Sequence, residues 1–364
     1  MKKESIFKRV YDFYSKDLTS EEFERLIMKE TPTRYKYLMR NMEKPLPPKN
    51  KIEEVFGFIK NFAEAFLKKL SPAIRLLYTI GLFLFAFSML KEDWNLAVTS
   101  FLLINLLMIF EIADKLTARD ELEVARDVQT GLIPVEAPED ADFELASYYE
   151  TAKEVGGDFI DFISKPDNSY LISIGDISGK GMSAALQMVQ VRLLFRFISD
   201  TQCDPNCDPK KILVQLNGNL FRHLKNSLYF SMTLAKVRDK KLKICRAGHT
   251  QVLYYNSSDH TCEEIQQKGM ALGLNNTELF EKSIQEIELN TNQNDIILFY
   301  SDGLSEAMNA YKREFGIERI KELILHNSNK SALEIKNAIL DEVSKFRGYA
   351  EVHDDITFIL MKSK

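Results

Sequence analysis

The sequence predicts an α+β protein in which a helical N-terminal region and a two-helix membrane hairpin precede a domain of antiparallel sheets covered by helices. Three observations lead to this prediction. Two nearly uninterrupted apolar runs, residues 76–90 and 96–110, are separated only by KEDWN. From Phe143 onward, short β-type runs are separated by turn residues. Helical patterns occur there in separate blocks, which is typical of an α+β fold.

Composition limits the possible functions. The chain has 364 residues, 45% of them hydrophobic, so it can bury a core and form more than one domain. Its formal net charge is -5, and its lysines are scattered along the chain. We therefore expect no nucleic-acid partner.

The cysteines indicate neither a zinc site nor a thiol-based phosphatase. Cys203, Cys207, Cys245 and Cys262 lack the paired spacing of a metal site. None of them has an arginine at the spacing of a cysteine-phosphatase loop. We expect reduced thiols in a cytosolic domain, with a structural bridge as the alternative.

Residues 1–70 are predicted to form a helical region. Thr19 can cap a helix, and Glu22, three positions later, can complete a capping box. The segment PLPPKN, residues 45–50, then interrupts the pattern. No chemical motif is visible, so we interpret this region as an interaction or sensor domain of unknown role.

The two apolar runs predict a transmembrane hairpin over residues 74–113. Each run alone falls just short of the roughly 17 to 25 residues that cross a bilayer, but flanking apolar residues extend it. Charged residues precede the hairpin, which argues against a cleaved signal peptide. A buried hairpin in a soluble dimer is the alternative.

Positive charges predict the orientation of the hairpin. Its loop has one lysine beside two acids, whereas both outer flanks are basic. By the positive-inside rule, both termini are expected to be cytoplasmic, with Trp94 at the outer interface. The basic flanking residues are Lys68, Lys69, Arg75, Lys115 and Arg119.

Residues 114–134 are predicted to form a linker helix that acts as a switch. Ala118, Leu122, Ala125, Gln129 and Leu132 follow a 4-3-4-3 spacing, which suits a seam with a parallel partner helix in a homodimer. An amphipathic helix packed on its own domain fits this short repeat equally. A glycine and a proline end the helix in either case.

Residues 140–364 contain the strands and helices of the sheet domain. The predicted strands are FELASYY, DFIDFIS, YLISIGD, LYFSMTLAKVR, KLKICRAG, VLYYN, DIILFYS and ITFILMK. Helices are predicted over residues 182–199, 209–224, 317–326 and 332–346. We expect a largely antiparallel pair of sheets covered by these helices.

Two aspartates are predicted to face one another across the first hairpin of this domain. The turn KPDNS is centred near Asp167, and Asp158 and Asp176 lie nine residues before and after it. Opposed carboxylates repel unless a cation lies between them, and no lysine or arginine alternates with them on these strands. A divalent metal ion is the natural counter-charge. Period-2 alternation places Asp161 on the opposite face.

More acids recur downstream at strand ends. Asp302 precedes a glycine just after one predicted strand, and Asp354 and Asp355 precede the last strand. Oxygen ligands without a histidine or cysteine cluster favour Mg²⁺ or Mn²⁺ over zinc. Taken singly, each acid fits a turn or cap, but together they predict a metal site.

The motifs EVGGDFIDF, GDISGKGMSAAL, RAGH, SDGLSEA and HDDITFILMK, in this order and spacing, resemble those of the PPM-type metal-dependent serine/threonine phosphatases. The resemblance is closest to the bacterial branch that regulates sporulation and sigma factors. It covers residues 122–364 and implies a β-sandwich flanked by helices.

The resemblance also implies roles for individual residues. Asp158 and Asp176 match bridging metal ligands, the Ile177 carbonyl completes one site, and Asp302 and Asp354 match the acids of the other site. The acid at position 355 is implied as an outer-shell residue or as a ligand of an additional metal. The implied mechanism uses two or more Mn²⁺ or Mg²⁺ ions, with two of them about 3.5 to 4 Å apart activating a water for in-line attack on phosphorus.

The sequence departs from the eukaryotic members of this family at two positions. Those relatives have a histidine after an aspartate-glycine pair, whereas Ser178 follows Asp176 and Ile177 in this sequence. They also have a phosphate-binding arginine upstream, where Lys153 is the only cation in this sequence. His249 is interpreted as a hydrogen-bonded structural residue rather than a base. Lys180 precedes a helix N-terminus, which favours an anion, although packing of a flexible loop is the simpler interpretation.

The resemblance implies a phosphoprotein phosphatase, and together with the predicted hairpin it implies anchoring in the bacterial cytoplasmic membrane, with the catalytic domain in the cytoplasm. The resemblance implies a phosphoserine or phosphothreonine regulator as substrate, such as an anti-sigma-factor antagonist. The alternatives are a catalytically weak scaffold that binds phosphoproteins and a domain with a structural Mg²⁺ or Ca²⁺ ion. We also hypothesise that the linker helix switches metal affinity and that Gln129 sets its active register.

Overall fold

The computed structural model describes residues 60, 62–64, 66–134, 138–202, 208–223, 229–350 and 352–364. The capping box predicted at Thr19 and Glu22, and most of the region predicted over residues 1–70, lie outside them. Cys203 and Cys207 also lie outside them. The chain divides into two units, Met1–Ala118 and Arg119–Lys364.

The first unit contains the predicted hairpin. Helix α1 spans Pro72–Lys91 and begins on a proline, which loses nothing there because the first-turn N–H groups have no helical acceptor. Helix α2 begins two residues after Glu92 and spans Trp94–Leu132. The rings of Phe85 and Phe101 lie with centroids 6.4 Å apart, so the two helices pack side by side.

Both helices of the hairpin are long and apolar enough to cross a membrane. Large apolar side chains remain exposed along them, among them Leu76, Phe83, Phe101 and Leu102. Within the described residues, these side chains of the hairpin are therefore not covered by other parts of this chain.

In the described part of the second unit, ten strands form two antiparallel five-stranded sheets. The first sheet has the order β1-β10-β9-β6-β7 and the second has the order β2-β3-β4-β5-β8. The strands are β1 (Phe143–Glu150), β2 (Phe159–Ser164), β3 (Tyr170–Ile177), β4 (Phe230–Arg238), β5 (Lys241–Ala247), β6 (Val252–Asn256), β7 (Thr261–Ile265), β8 (Glu286–Asn290), β9 (Ile296–Tyr300) and β10 (Ile356–Ser363).

Helices cover the outer faces of both sheets, as the α+β prediction requires. Helices α3 (Met182–Phe197) and α4 (Pro209–His223) pack on the second sheet, and α7 (Ile317–Asn327) and α8 (Ala332–Arg347) pack on the first. The short helices α5 (Thr277–Ser283) and α6 (Asp302–Ser305) lie in loops. Ser331 and Glu334 form a capping box that starts α8, which holds the N-terminus of that helix.

The core lies in layers. Phe159, Phe230, Phe299 and Ile359 are buried in one continuous apolar cluster to which both sheets contribute. A second cluster joins the outer face of the first sheet to α7 and α8. Burial of these side chains supplies the main stabilisation of the fold and leaves the strand ends free to carry polar groups.

Candidate metal centre

The hairpin of β2 and β3 brings the first two predicted ligands together. Phe159 pairs with Gly175 in the antiparallel register. Continuing this register by one residue places Asp158 opposite Asp176, as the turn position predicted. This register puts both acids at the same end of the sheet, where Asp158 is only 2% exposed.

Burial makes ionisation of these two acids unfavourable. It raises the pKa of Asp158 well above its ordinary value, and the nearby charge of Asp176 raises it further. Burial also raises the pKa of Asp176 to about 7, assisted by the charges of Asp302 and Asp354. Oδ2 of Asp158 is buried and has no hydrogen-bond partner among the described residues, which leaves this oxygen without compensation for its lost hydration.

The other two predicted acids come from the first sheet. Asp302 follows β9 and begins α6, and Asp354 lies two residues before β10. Burial, followed by the charge of Asp354, raises the pKa of Asp302. A side chain at Gly303 would place its Cβ 1.9 Å from the carbonyl oxygen of Asp355, so only glycine allows this close approach.

The donor set fits a hard divalent cation. A Cβ at Gly157 would lie 3.0 Å from Oδ1 of Asp176 and 3.1 Å from the carbonyl oxygen of Ile177, so glycine keeps open the space in front of these two oxygens. Carboxylate and carbonyl oxygens are the ligands that Mg²⁺ and Mn²⁺ prefer. Among the described residues, no three acidic, histidine or cysteine side chains already form a closed cage. The carboxylate of Asp354 is turned instead toward Lys180.

Asp355 differs from its neighbour. Its carboxylate accepts hydrogen bonds from the backbone N–H groups of Ala152 and Gly157, each at 2.7 Å, and from that of Asp158 at 3.4 Å. These contacts fasten the β1–β2 loop to the start of β10.

A cleft opens beside the acids and contains two cations. Lys180 donates to Oδ2 of Asp354 at 2.6 Å and lies in the loop before α3. Lys153 lines the same cleft from the β1–β2 loop. The other lining residues are Ala152, Val155, Gly156, Gly157, Asp176, Gly179, Gly181, Asp354 and Asp355.

His249 lies behind the site, where it is buried and hydrogen-bonded. It is 4% exposed, and its Nδ1 lies 2.8 Å from the hydroxyl of Ser231, which pairs with Asp176 across β3 and β4. Burial and the charge of Arg246 lower the pKa of His249 to about 3. The imidazole is therefore neutral and reaches the acids only through its neighbours.

Asp161 lies away from the site, as period-2 alternation predicted. Its side chain is fully buried on the face of β2 that packs against α3. There it accepts hydrogen bonds from Arg192 at 3.2 Å and from Arg196 at 2.6 and 2.7 Å. These two arginines supply the counter-charge of Asp161.

Two contributors at the site were not predicted from the sequence. The hydroxyl of Ser301 lies close enough to Asp158 to lower the pKa of that acid. Tyr149 places a buried hydroxyl without a hydrogen-bond partner nearby, and burial together with the charges of Asp355 and Asp158 raises its pKa. Ser301 could have been found from the sequence because it precedes Asp302 in the SDG motif, whereas no local motif marks Tyr149 as part of the site.

Gln129, which the linker pattern singled out, contacts the loop between β1 and β2. Its side-chain amide donates to the carbonyl oxygen of Gly156 at 2.6 Å and accepts from the N–H of Gly156 at 3.1 Å. It is 2% exposed. In the described unit, this part of α2 therefore packs on its own domain, which was one of the two interpretations of the seam.

Comparison with known sequences identifies relatives of the domain. The family model for Stage II sporulation protein E (SpoIIE) matches residues 166–364, more than half of the chain. Phosphoserine phosphatase RsbU of Bacillus subtilis is 28% identical over 251 residues, which cover 68% of this chain and 71% of RsbU. Phosphoserine phosphatase RsbP of the same organism is 24% identical over 261 residues, covering 69% of this chain and 59% of RsbP.

Comparison with solved structures identifies the fold. The SiaA-PP2C domain of Pseudomonas aeruginosa superposes with a TM-score of 0.58 at 21% identity. The match covers 69% of this chain and 98% of that domain. The expected helix-flanked β-sandwich is thereby confirmed.

Proposed function

This chain belongs to the SpoIIE family, and from that membership we propose that it is a metal-dependent phosphatase that hydrolyses phosphoserine or phosphothreonine on a regulator protein. The observation that carries the proposal is the pair of buried, mutually repelling strand-end acids Asp158 and Asp176. Asp158 is buried with an unpartnered oxygen, and the pKa of Asp176 is raised to about 7. Such a group is costly unless it binds cations.

Each acid then has a role. Asp158, Asp176 and the Ile177 carbonyl would hold one cation, and Asp302 with Asp354 would hold the other. Cations bound there supply a nucleophile derived from water and neutralise the phosphoryl oxygens. The protein contributes orientation through rigid strand ends and exclusion of water through burial. No covalent intermediate with the protein is required.

The substrate is proposed to be a phosphorylated regulator, because the relatives RsbU and RsbP are named phosphoserine phosphatases. We expect the full-length protein in detergent to release phosphate from one member of a panel of phosphorylated regulator domains. Release should require Mn²⁺ or Mg²⁺ and stop with a chelator. Metal binding without release from any phosphoprotein would instead support a structural or scaffold role.

We propose that the hairpin anchors the phosphatase in a bacterial cytoplasmic membrane with both termini inside. The support is the exposed apolar surface of α1 and α2 together with the basic flanks. In a variant whose native cysteines are replaced by serine, we expect a cysteine at Asp93 to react with an impermeant thiol reagent in intact cells. Cysteines at Asn50 and Lys364 should react only after lysis. Reaction at Lys364 in intact cells would reverse the proposed orientation.

We also propose that α2 controls the metal centre through Gln129. The side chain holds both the N–H and the carbonyl of Gly156, and Gly157 faces the oxygens of Asp176 and Ile177. A shift of α2 would therefore move the loop that shapes the first metal site.

Shortening this side chain should weaken metal binding. We expect Gln129→Ala to raise the Mn²⁺ concentration for half-maximal activity about fivefold to tenfold, because two buried hydrogen bonds are lost. Thr130→Ala is the matched control, since that exposed hydroxyl bonds only to its own helix. Insertions of one and of four residues after Ala118 test transmission along the helix. If both insertions leave the Mn²⁺ requirement and the maximal rate unchanged, the helix is a passive tether.

A further inference from the structure

Lys180 forms an ion pair with Asp354, one of the acids proposed to bind the metals. Its ammonium lies 2.6 Å from Oδ2 of Asp354 and 3.2 Å from the carbonyl oxygen of His353. Asp354 is also a proposed ligand of the second cation. One carboxylate therefore has two possible positive partners, and both cannot occupy the same oxygen.

Lys180 compensates the charge of Asp354 through this direct contact. No comparable side-chain donor reaches Oδ2 of Asp158 within the described residues.

The position of Lys180 allows it to leave this contact. Gly179 and Gly181 flank it at φ +110 and +76, and neither has a neighbour within 4 Å of its Cβ position. The lysine side chain is 45% exposed. Its ammonium can therefore move without disturbing the core, and the N-terminus of the 16-residue helix α3 follows directly. A lysine beside a helix N-terminus favours an anion.

Resting on the proposed function, we infer that Lys180 alternates between two anions. It pairs with Asp354 until a divalent cation takes that carboxylate, and it then binds a phosphoryl oxygen of the substrate. The reason is electrostatic: a divalent cation at Asp302 and Asp354 removes the counter-charge of the ammonium and repels it. The phosphoryl dianion is then the strongest anion entering the cleft. No arginine is among the described residues that line this cleft, so a lysine has to supply the positive charge for the phosphoryl group.

The inference predicts two effects of opposite sign in one variant. Lys180→Met, in the full-length protein in detergent, should bind Mn²⁺ about threefold to fivefold more tightly by calorimetry, because the competing ion pair is removed. The same variant, saturated with Mn²⁺, should bind inorganic phosphate about threefold to fivefold more weakly. Lys180→Arg keeps the charge and should stay near wild type in both measurements.

Lys282→Met is the matched control. Lys282 makes an ion pair of the same 2.6 Å length with Glu278 on the exposed surface of α5, so its loss should change neither affinity. A merely structural role for Lys180 would weaken both affinities. The inference holds only if they move in opposite directions, and every other pattern overturns it. A wild-type protein that binds no Mn²⁺ would overturn the proposed function itself, whereas normal Mn²⁺ binding with an unshifted Lys180→Met variant overturns the role of Lys180 alone.

Discussion

Asp176→Asn is expected to reduce Mn²⁺-dependent phosphate release at least about a thousandfold, because the variant loses a charged metal ligand and the electrostatic stabilisation that the metal provides. The same change should stabilise the fold in the presence of a chelator. The pKa of Asp176 is raised to about 7 in the folded protein, so above that pH the ionised carboxyl destabilises the folded state relative to the unfolded chain. A neutral amide avoids this cost.

The two expectations for Asp176→Asn can be checked on one preparation. Phosphate release is measured with saturating Mn²⁺, and urea unfolding is measured at pH 8 with chelator. We expect the free energy of unfolding to rise by about 1 kcal/mol or more. Activity near that of wild type, with a normal circular dichroism spectrum, would remove Asp176 from the metal site.

Asp161→Asn is expected to lower the free energy of unfolding by about 3 kcal/mol, although it removes an acid from the same hairpin. Asp161 is fully buried and is the partner of Arg192, which is 5% exposed. Without the carboxylate, the guanidinium of Arg192 remains buried with no full counter-charge. Arg196, which is more exposed, can turn partly to solvent.

Chemical unfolding and Mn²⁺ calorimetry together distinguish the role of Asp161 in stability from the role of Asp176 in metal binding. At low temperature, where the Asp161→Asn variant is still folded, its affinity for Mn²⁺ should equal that of wild type. Lys282→Met on α5 again serves as a control, because removing an exposed ion pair should change stability by less than about 1 kcal/mol. Loss of Mn²⁺ binding by folded Asp161→Asn would mean that the two faces of β2 are not independent.

The register of the first hairpin was predictable because the numbers of paired residues in an antiparallel hairpin have a constant sum. Once the turn is centred on Asp167, every pair sums to the same number, and the observed Phe159–Gly175 pair obeys it. Period-2 alternation likewise placed Asp161 on the other face. These conclusions needed only local sequence.

Strands β7 (Thr261–Ile265) and β8 (Glu286–Asn290) were missed for the converse reason. Both lie at the edge of a sheet, and about half of their residues are polar. An edge strand needs little apolar pattern of its own, since its neighbour supplies the pairing. The short helices α5 and α6 were missed because a few residues have too little periodicity to register.

The sequence by itself determined the fold class, the β2–β3 register and which acids end strands, because these depend on the alternation of apolar residues and on turn chemistry. Only the tertiary structure decided which partner each polar side chain contacts. Asp354 turns to Lys180 while Asp355 receives loop amides. Gln129 bonds to Gly156 of its own domain. Side-chain direction and long-range partners follow from packing between segments far apart in the chain, which no local pattern contains.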